Sequence, residues 1–434
     1  MESIIVVLGF FLLFSFVISE IFYRLRYPKV IGQIIAGIIL GLPFLAGLIF
    51  AGGDYAAALA AGELPAVAIE TLSGLGIIFL LLLTGLEINL EKFRKVSKDV
   101  ALIGLSSAVI PFVLGFATIE LLGSLGFINL QGYYDLHFTA LVVGACLSLT
   151  AGGTKVMILM ELKELNTKLG EIMLGAGILD EILGVLFLSL VLLMTAGTSS
   201  SPFAETLAGV PVFAEIQQGT GDLFPLLLFP VELFVFILLA YCLLKFFPTV
   251  MRYIQREKSE VSEFMIIILV GLLIATFSEF LGLGTIIGAL IAGIILQVSI
   301  RDRGEEQILV NDLRIITLGL IVPFFFISIG LNFSVASLFT NPVLLLSILV
   351  VATAGKIIGA MLAKPFTDLS WRQLYVVGWG MNSRGAVELV IAFVARPFIP
   401  ADVFSSIVVM AVVTTILSML MIERQTQKDR GIMG

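Results

Sequence analysis

Charge is scarce in this chain. Asp, Glu, Lys and Arg make up 13% of its 434 residues against 59% hydrophobic, and the mean hydropathy is +1.12. A soluble globular domain is about a quarter charged, so that class is excluded, and no stretch reads as a soluble appendage. Cysteine is nearly absent too. Cys146 and Cys242 fall in different apolar spans, which reads as two small hydrophobes in the packing rather than a bridge or a metal site. The single histidine, His137, begins an apolar span and reads as interfacial rather than as a pH sensor. No basic residue precedes the first apolar run and no Ala-x-Ala-like site follows it, which argues for a retained helix over a signal peptide. The net charge of −7 says little about partners; the positions of the charges say more.

What the chain has in abundance is apolar runs, each close to the roughly 20 residues that cross a hydrocarbon core of about 30 Å. Thirteen are read, at 4–22, 30–50, 69–86, 100–122, 136–159, 169–194, 223–244, 264–280, 285–298, 315–331, 343–363, 374–395 and 403–421. Lys and Arg concentrate in cytoplasmic loops. Of the 25 here, twenty-one follow odd-numbered spans, only Arg396 lies in an even-numbered loop, and Lys155, Lys356 and Arg384 sit inside spans. The alternation predicts an all-α polytopic membrane protein of about 13 transmembrane helices, N-terminus outside and C-terminus cytoplasmic. Residues 195–221 then form a polar outer loop without Lys or Arg.

The chain also repeats itself. VIGQIIAGIILG at 30–41 returns as IIGALIAGIILQ at 286–297, identical at eight of twelve positions, and FLLLLTGLEINL at 79–90 is echoed by FFFISIGLNFSV at 324–335. These pairs join spans two and nine, then three and ten. A separation of seven spans, an odd number, gives the two copies opposite orientations. Inverted repeats are an architecture of secondary transporters, with the substrate site built from interrupted helices. Spans five and twelve fit that role: Leu149-Thr150-Ala151-Gly152-Gly153-Thr154 and Gly380-Met381-Asn382-Ser383-Arg384-Gly385 put glycines and small polar residues in mid-span. Such unwinding is tolerated in a bilayer where the freed backbone is buried or lines a cavity.

Asp180 and Glu181 stand side by side in the sixth span. An ionisable group at bilayer depth costs about 2.5–3.5 kcal/mol on insertion scales and marks an ion or proton site by default. Two adjacent carboxyls in a low dielectric repel and titrate as a unit. A desolvated sodium or potassium ion favours oxygen ligands, and Glu181, Asp180, Thr150, Ser148 and backbone carbonyls can supply them. Cation and proton then compete for one site, which with alternating access gives exchange. Lys356 reads either as a cation that neutralises Asp180 in one state and releases its proton in another, or as a static bridge between helices. Arg384 and Glu388 are spaced to pair across one helical turn. Glu87, Glu279 and Lys155 lie near span ends, where snorkelling to the interface is the plain expectation; the alternative for Lys155 is a cytoplasmic funnel.

In these residues the chain resembles the monovalent cation:proton antiporter family, second branch, of the sodium/hydrogen exchanger superfamily. The resemblance rests on PKVIGQIIAG at 28–37, GLE at 85–87, LSLT at 147–150, GILDEILG at 177–184, GALIAG at 288–293, FFFISIGL at 324–331, Gly355-Lys356 and Arg384-Gly385, all in family order. It implies a homodimer working as an elevator. A scaffold of helices one to three (1–98) and eight to ten (263–340) would hold the dimer. Helices four to six (99–195) and eleven to thirteen with a short tail (341–434) would move as a transport unit, joined through an outer loop and linker helix (196–262). It implies Asp180 and Glu181 as the paired carboxylates, Glu181 coordinating the cation, Thr150 at the ion site, and Lys356 pairing with Asp180 when the cation is absent. Arg384, Glu388 and Asn382 become a supporting network.

Two departures stand out: Glu181 occupies a position where many relatives carry Asp, and Ala386 follows Arg384-Gly385 where the family often has Glu. The chain stops shortly after its last span, so a cytosolic nucleotide-binding domain is not expected. The expected activity is sodium/proton exchange in the cell membrane with no cofactor, potassium being the alternative ion. A sodium-coupled organic-anion symporter ranks below it, having no need of a lysine beside the acidic pair. An intramembrane aspartyl protease is disfavoured because adjacent acids lie about 100° apart on one helix.

Overall fold

The computed structural model describes residues 2–50, 54–87, 98–130, 135–151, 155–156, 159–160, 164, 167–196, 234–236, 238–243, 245, 260–299 and 303–429. Among these the chain is helical and no strand occurs. The helices used below are α1 (Glu2–Arg24), α2 (Lys29–Leu40), α3 (Pro43–Ile49), α4 (Tyr55–Ala60), α5 (Leu64–Glu87), α6 (Lys98–Ser124), α7 (Leu136–Ser148), α8 (Lys168–Ala196) and α9 (Glu260–Phe280). They continue as α10 (Thr285–Ser299), α11 (Arg303–Ile316), α12 (Val322–Leu331), α13 (Val335–Thr340), α14 (Pro342–Leu362), α15 (Trp371–Gly380), α16 (Ala386–Ala395) and α17 (Ala401–Lys428). A π-helical turn at Thr317–Ile321 joins α11 to α12.

Among the described residues six helices are long and apolar enough to cross a membrane: Ile4–Arg24, Leu64–Glu87, Lys98–Ser124, Val310–Leu331, Pro342–Phe366 and Ala401–Lys428. The expected second span is bent by 78° between α2 and α3, where Gly41 ends one helix and Pro43 opens the next. The expected spans at 136–159 and 374–395 are interrupted where their mid-span glycines and small polar residues predict, after Ser148 and after Gly380, and most of 223–244 and the outer loop 197–221 lie outside the described residues.

Local chemistry sets several helix ends. The Asp135 side chain accepts from Phe138 N at 2.7 Å to start α7, and Asn341 caps α14 through Leu344 N. Ser370 and Gln373 cap α15 reciprocally. His137 is exposed at the start of α7, its Nδ1 2.6 Å from Glu120 Oε1. Glu87 is also exposed and paired, 2.7 Å from Arg314, and Glu279 accepts from Thr285 N at 2.8 Å.

The chain forms two compact units. One comprises Met1–Leu12, Gly62–Asn89 and Leu192–Phe326; the other comprises Leu13–Ala61, Leu90–Val191 and Ile327–Gly434 and holds every candidate site residue. The core of the first gathers Phe79, Leu82, Leu83, Leu86, Ile274, Ile295 and Leu313. In the second, Val100, Ile103, Met173, Ala176, Leu374, Val377 and Met381 pack together.

Within each unit, glycines let backbones meet. In the second, a Cβ on Gly37 would lie 2.3 Å from Ile327 O and 2.9 Å from Gly330 Cα, joining α2 to α12; a Cβ on Gly32 would lie 2.5 Å from Ser19 Cα of α1. In the first, a Cβ on Gly85 would lie 2.3 Å from Leu290 O and 2.9 Å from Gly293 Cα, joining α5 to α10; one on Gly288 would lie 2.6 Å from Ala275 Cα of α9. Gly32 and Gly37 are the positions that Gly288 and Gly293 occupy in the second sequence copy, and Gly85 is echoed by Gly330. Small residues at such crossings allow the close packing that joins helices in lipid.

Backbone atoms cannot swing aside as a side chain end can. Gly37→Ile is therefore expected to destabilise the protein by about 1–3 kcal/mol or more, read as a lower midpoint of thermal unfolding in detergent. The same substitution at Gly9 or Gly74, where a Cβ meets nothing within 4 Å, is expected to leave the midpoint nearly unchanged.

Candidate functional site

The site is built where two interrupted spans cross. α7 stops at Ser148, and Leu149 turns to an extended conformation with φ −81° and ψ 162°. α15 stops at Gly380, and the chain runs non-helically to Gly385 before α16 begins. The two open segments bond to one another: Ala151 N donates to Ser383 O at 3.0 Å, and Thr150 Oγ1 donates to Met381 O at 2.7 Å. Gly385 is needed for this approach, because a Cβ there would come 2.6 Å from Ala151 Cβ.

Helix ends leave carbonyls and amides without intrahelical partners, and several of those at the crossing are met by buried side chains. Lys356 Nζ donates to Ser148 O, and Arg384 Nη1 donates to Leu149 O. Ser418 Oγ, from α17, donates to Trp379 O at 2.6 Å. Thr415, also on α17, accepts from Arg384 N at 2.9 Å through its hydroxyl, which lies 3.2 Å from Arg384 O. Glu388 Oε2 accepts from Gly385 N at 3.0 Å and closes the start of α16.

Asp180 projects from α8 into this crossing and is fully buried. Its Oδ2 lies 3.3 Å from Lys356 Nζ, and its Oδ1 has no hydrogen-bond partner among the described residues. Lys356 is brought there by α14, which closes on α6 through glycine: a Cβ on Gly355 would lie 2.8 Å from Pro111 Cβ, and one on Gly359 2.6 Å from Ser106 O. Glu181 follows Asp180 in the helix, but its side chain lies outside what is described. Asn382 and Ser383 are fully buried, and neither end of the Asn382 amide nor Ser383 Oγ has a partner among the described residues.

Some expected roles sit differently. The Ser148 hydroxyl donates to Ala108 O of α6 at 2.8 Å, which leaves its oxygen lone pairs available, and the Ser148 carbonyl at the crossing accepts from Lys356. Arg384 and Glu388 make no ion pair within 4 Å among the described residues, because the chain between them is open and the turn that would align them is missing. Lys155 does not snorkel; it is 2% exposed, with Nζ 3.7 Å from Met381 Sδ. The reading of sequence missed Thr415 and Ser418, whose signal was available as Thr414, Thr415 and Ser418 recurring on one apolar helix. It also missed Cys146, whose Sγ donates to Glu388 O at 3.4 Å.

A buried acid held by a lysine, beside two crossed open segments, is an arrangement for an ion or a proton. The family model described as the transmembrane sodium/hydrogen exchanger matches residues 10–424. The chain belongs to that family. A member is a secondary transporter rather than an enzyme. The exchanger chain is 26% identical to a sodium/proton antiporter of Enterococcus hirae over 94% of each chain. It is 29% identical to the sodium/proton antiporter NhaS4 of a Synechocystis strain over 96% of this chain and 95% of that one. The solved structure of MjNhaP1, a sodium/proton antiporter from Methanocaldococcus jannaschii, matches with a TM-score of 0.60 over 98% of this chain and 97% of that one. At 16% identity that likeness speaks to the fold.

Breaking a buried ion pair from one side leaves the other charge uncompensated. Lys356→Gln is expected to cost about 3–5 kcal/mol, and adding Asp180→Asn is expected to recover part of it. Thermal unfolding of the single and double variants in detergent checks both.

Proposed function

We propose that this exchanger moves a monovalent cation, sodium first, against protons at Asp180 and Glu181. The observation that carries the reading is the fully buried Asp180 held by Lys356 at the crossing of two interrupted spans. The full-length relatives named as sodium/proton antiporters support the ion. Potassium stays the second choice, since a relative from Bacillus cereus, 27% identical over 92% of this chain, is named a sodium/proton–potassium antiporter.

The cycle follows from charge. With no cation bound, Lys356 compensates Asp180. An arriving cation takes oxygen ligands from the carboxylates, Thr150, Ser148 and backbone carbonyls, and it displaces the ammonium and any proton from them. On the other side protons return and expel the cation. Both cannot be held at once, so exchange needs no separate coupling device. Arg384 and Glu388 hold the open segment of the twelfth span while its neighbours change charge, and the buried Asn382 amide keeps its valences in reserve beside them.

Alternating access by an elevator fits the paired architecture, in which α2 meets α12 as α10 meets α5 through equivalent glycines. That pattern supports thirteen spans arranged as an inverted repeat. The scaffold and transport units are those drawn above at 1–98 with 263–340, and 99–195 with 341–434, working as a homodimer in the cell membrane with the N-terminus outside.

Electrical recording of reconstituted protein on a solid-supported membrane tests the reading, with sodium and potassium gradients applied separately at several pH values. Glu181→Gln and Asp180→Asn are expected to abolish cation-driven proton movement while the purified variants stay folded. Wild-type rates in either variant would refute the site. Currents that require an organic anion would favour a symporter.

A further inference from the structure

Lys155 is a buried charge to which the exchange just described gives no task. Among the described residues, the charged side chains buried around the crossing are Asp180, Glu388, Lys356, Arg384 and Lys155, none more than 3% exposed, with Glu181 following Asp180 on α8. Lys356 and Arg384 hold the carbonyl end of α7. The Lys155 ammonium rests elsewhere. It lies 3.7 Å from Met381 Sδ, on the open segment of the twelfth span, and it is lodged over Gly177 of α8, where a Cβ would stand 2.4 Å from Nζ.

Gly177 and Asp180 are three residues apart on α8. They therefore share a face and are separated along the axis by about 4.5 Å. The missing side chain at Gly177 is the socket that lets an ammonium approach α8 one turn from the candidate ion site. Lys356 reaches the same acid from α14. A cation arriving at Asp180 thus meets two ammonium groups: Lys356, which contacts the acid itself, and Lys155, which lies over Gly177 one helical turn away.

We propose that Lys155 is a built-in positive charge that lowers the cation affinity of the Asp180/Glu181 site and so permits release of the ion. The inference rests on the exchange reading. In the protein interior, like charges one helical turn to two apart repel strongly enough to change affinity by about tenfold or more. The field acts on the bound cation in every cycle, so its signature is in apparent affinity rather than in folding.

Full-length protein in liposomes tests it through the sodium dependence of exchange. The upward shift in melting temperature that sodium induces on detergent-purified protein serves as a readout independent of turnover. Lys155→Met keeps the unbranched stem and removes the charge; Lys155→Arg keeps the charge. The Met variant is expected to show a KM for sodium about tenfold lower, a larger sodium-induced stabilisation and a slower maximal rate, with the Arg variant close to wild type. Should Lys155→Met fail to fold, Lys155→Gln and Gly177→Ala carry the same comparison, the latter by displacing the ammonium. KM values that are unchanged in the neutral variants, or altered equally in the Met and Arg variants, would overturn the inference and make Lys155 a packing residue. Wild-type protein that exchanges neither sodium nor potassium would instead remove the functional reading, and this inference with it.

Discussion

A helix that ends in a water-poor interior leaves carbonyl oxygens facing nothing, and the way this is solved at the end of α7 governs the rest of the site. Ser148 O and Leu149 O are taken by Lys356 and Arg384. Cations suit this place better than neutral donors because a helix C-terminus carries partial negative charge, and because charge-assisted bonds are the stronger ones. One of the two cations is shared. Lys356 reaches from Ser148 O to Asp180 Oδ2, so the helix end and the carboxylate draw on the same charge. Under the proposed exchange, a cation that displaces Lys356 from Asp180 also changes what holds the α7 terminus. Occupancy and backbone are joined through one ammonium group.

The other open segment is secured differently. Its backbone is held by hydroxyls of α17, Thr415 and Ser418, and by the Glu388 carboxylate, while the side chains of Asn382 and Ser383 are left without partners among the described residues. Buried polar atoms are nearly always satisfied, and each exception asks for a reason. Three of the residues that carry such exceptions, Asp180, Asn382 and Ser383, lie at this crossing. Oxygens and amides that were all locked into internal bonds would have nothing to offer an incoming ion. A frame fixed through its backbone with side-chain valences in reserve can change ligands without unfolding.

Much of this was legible in the sequence, and two of the differences share a cause. Asp180 and Lys356, which meet at the crossing, stand out in the sequence because charges within apolar spans are expensive, and Thr150 and Gly385 because small residues interrupt otherwise continuous runs. The repeat was legible because glycines at crossings tolerate no substitute, so Gly32, Gly37 and Gly85 reappear as Gly288, Gly293 and Gly330. The interruption of spans five and twelve is legible too, but the places of Arg384 and Lys155 depend on where each helix stops. Spacing of four residues placed Arg384 and Glu388 on one turn, but the opening at 381–385 removes that turn, and each finds backbone instead. Lys155 was counted from the end of a span drawn as continuous to residue 159, which put it at the interface; with α7 ending at Ser148 it lies at the crossing. The Ser148 hydroxyl bonds Ala108 O, a contact 40 residues distant that no local pattern contains.

The two kinds of contact divide the labour. Where α2 meets α12 and α5 meets α10, backbones touch through glycine, and nothing at those crossings can rotate, titrate or trade partners. Around α7, α8 and α15 the contacts are long polar side chains reaching carbonyls and a carboxylate, each able to swing through its own torsions and each sensitive to local charge. A protein built only from the first kind would be stable and inert. One built only from the second would lack a frame against which a carbonyl or a carboxylate keeps its place. Gly355 and Gly359 show how the two are spliced: close packing of α14 on α6 brings the backbone of Lys356 to a fixed position, and only the flexible stem beyond it is free to choose between the acid, the carbonyl and, under the proposed exchange, release.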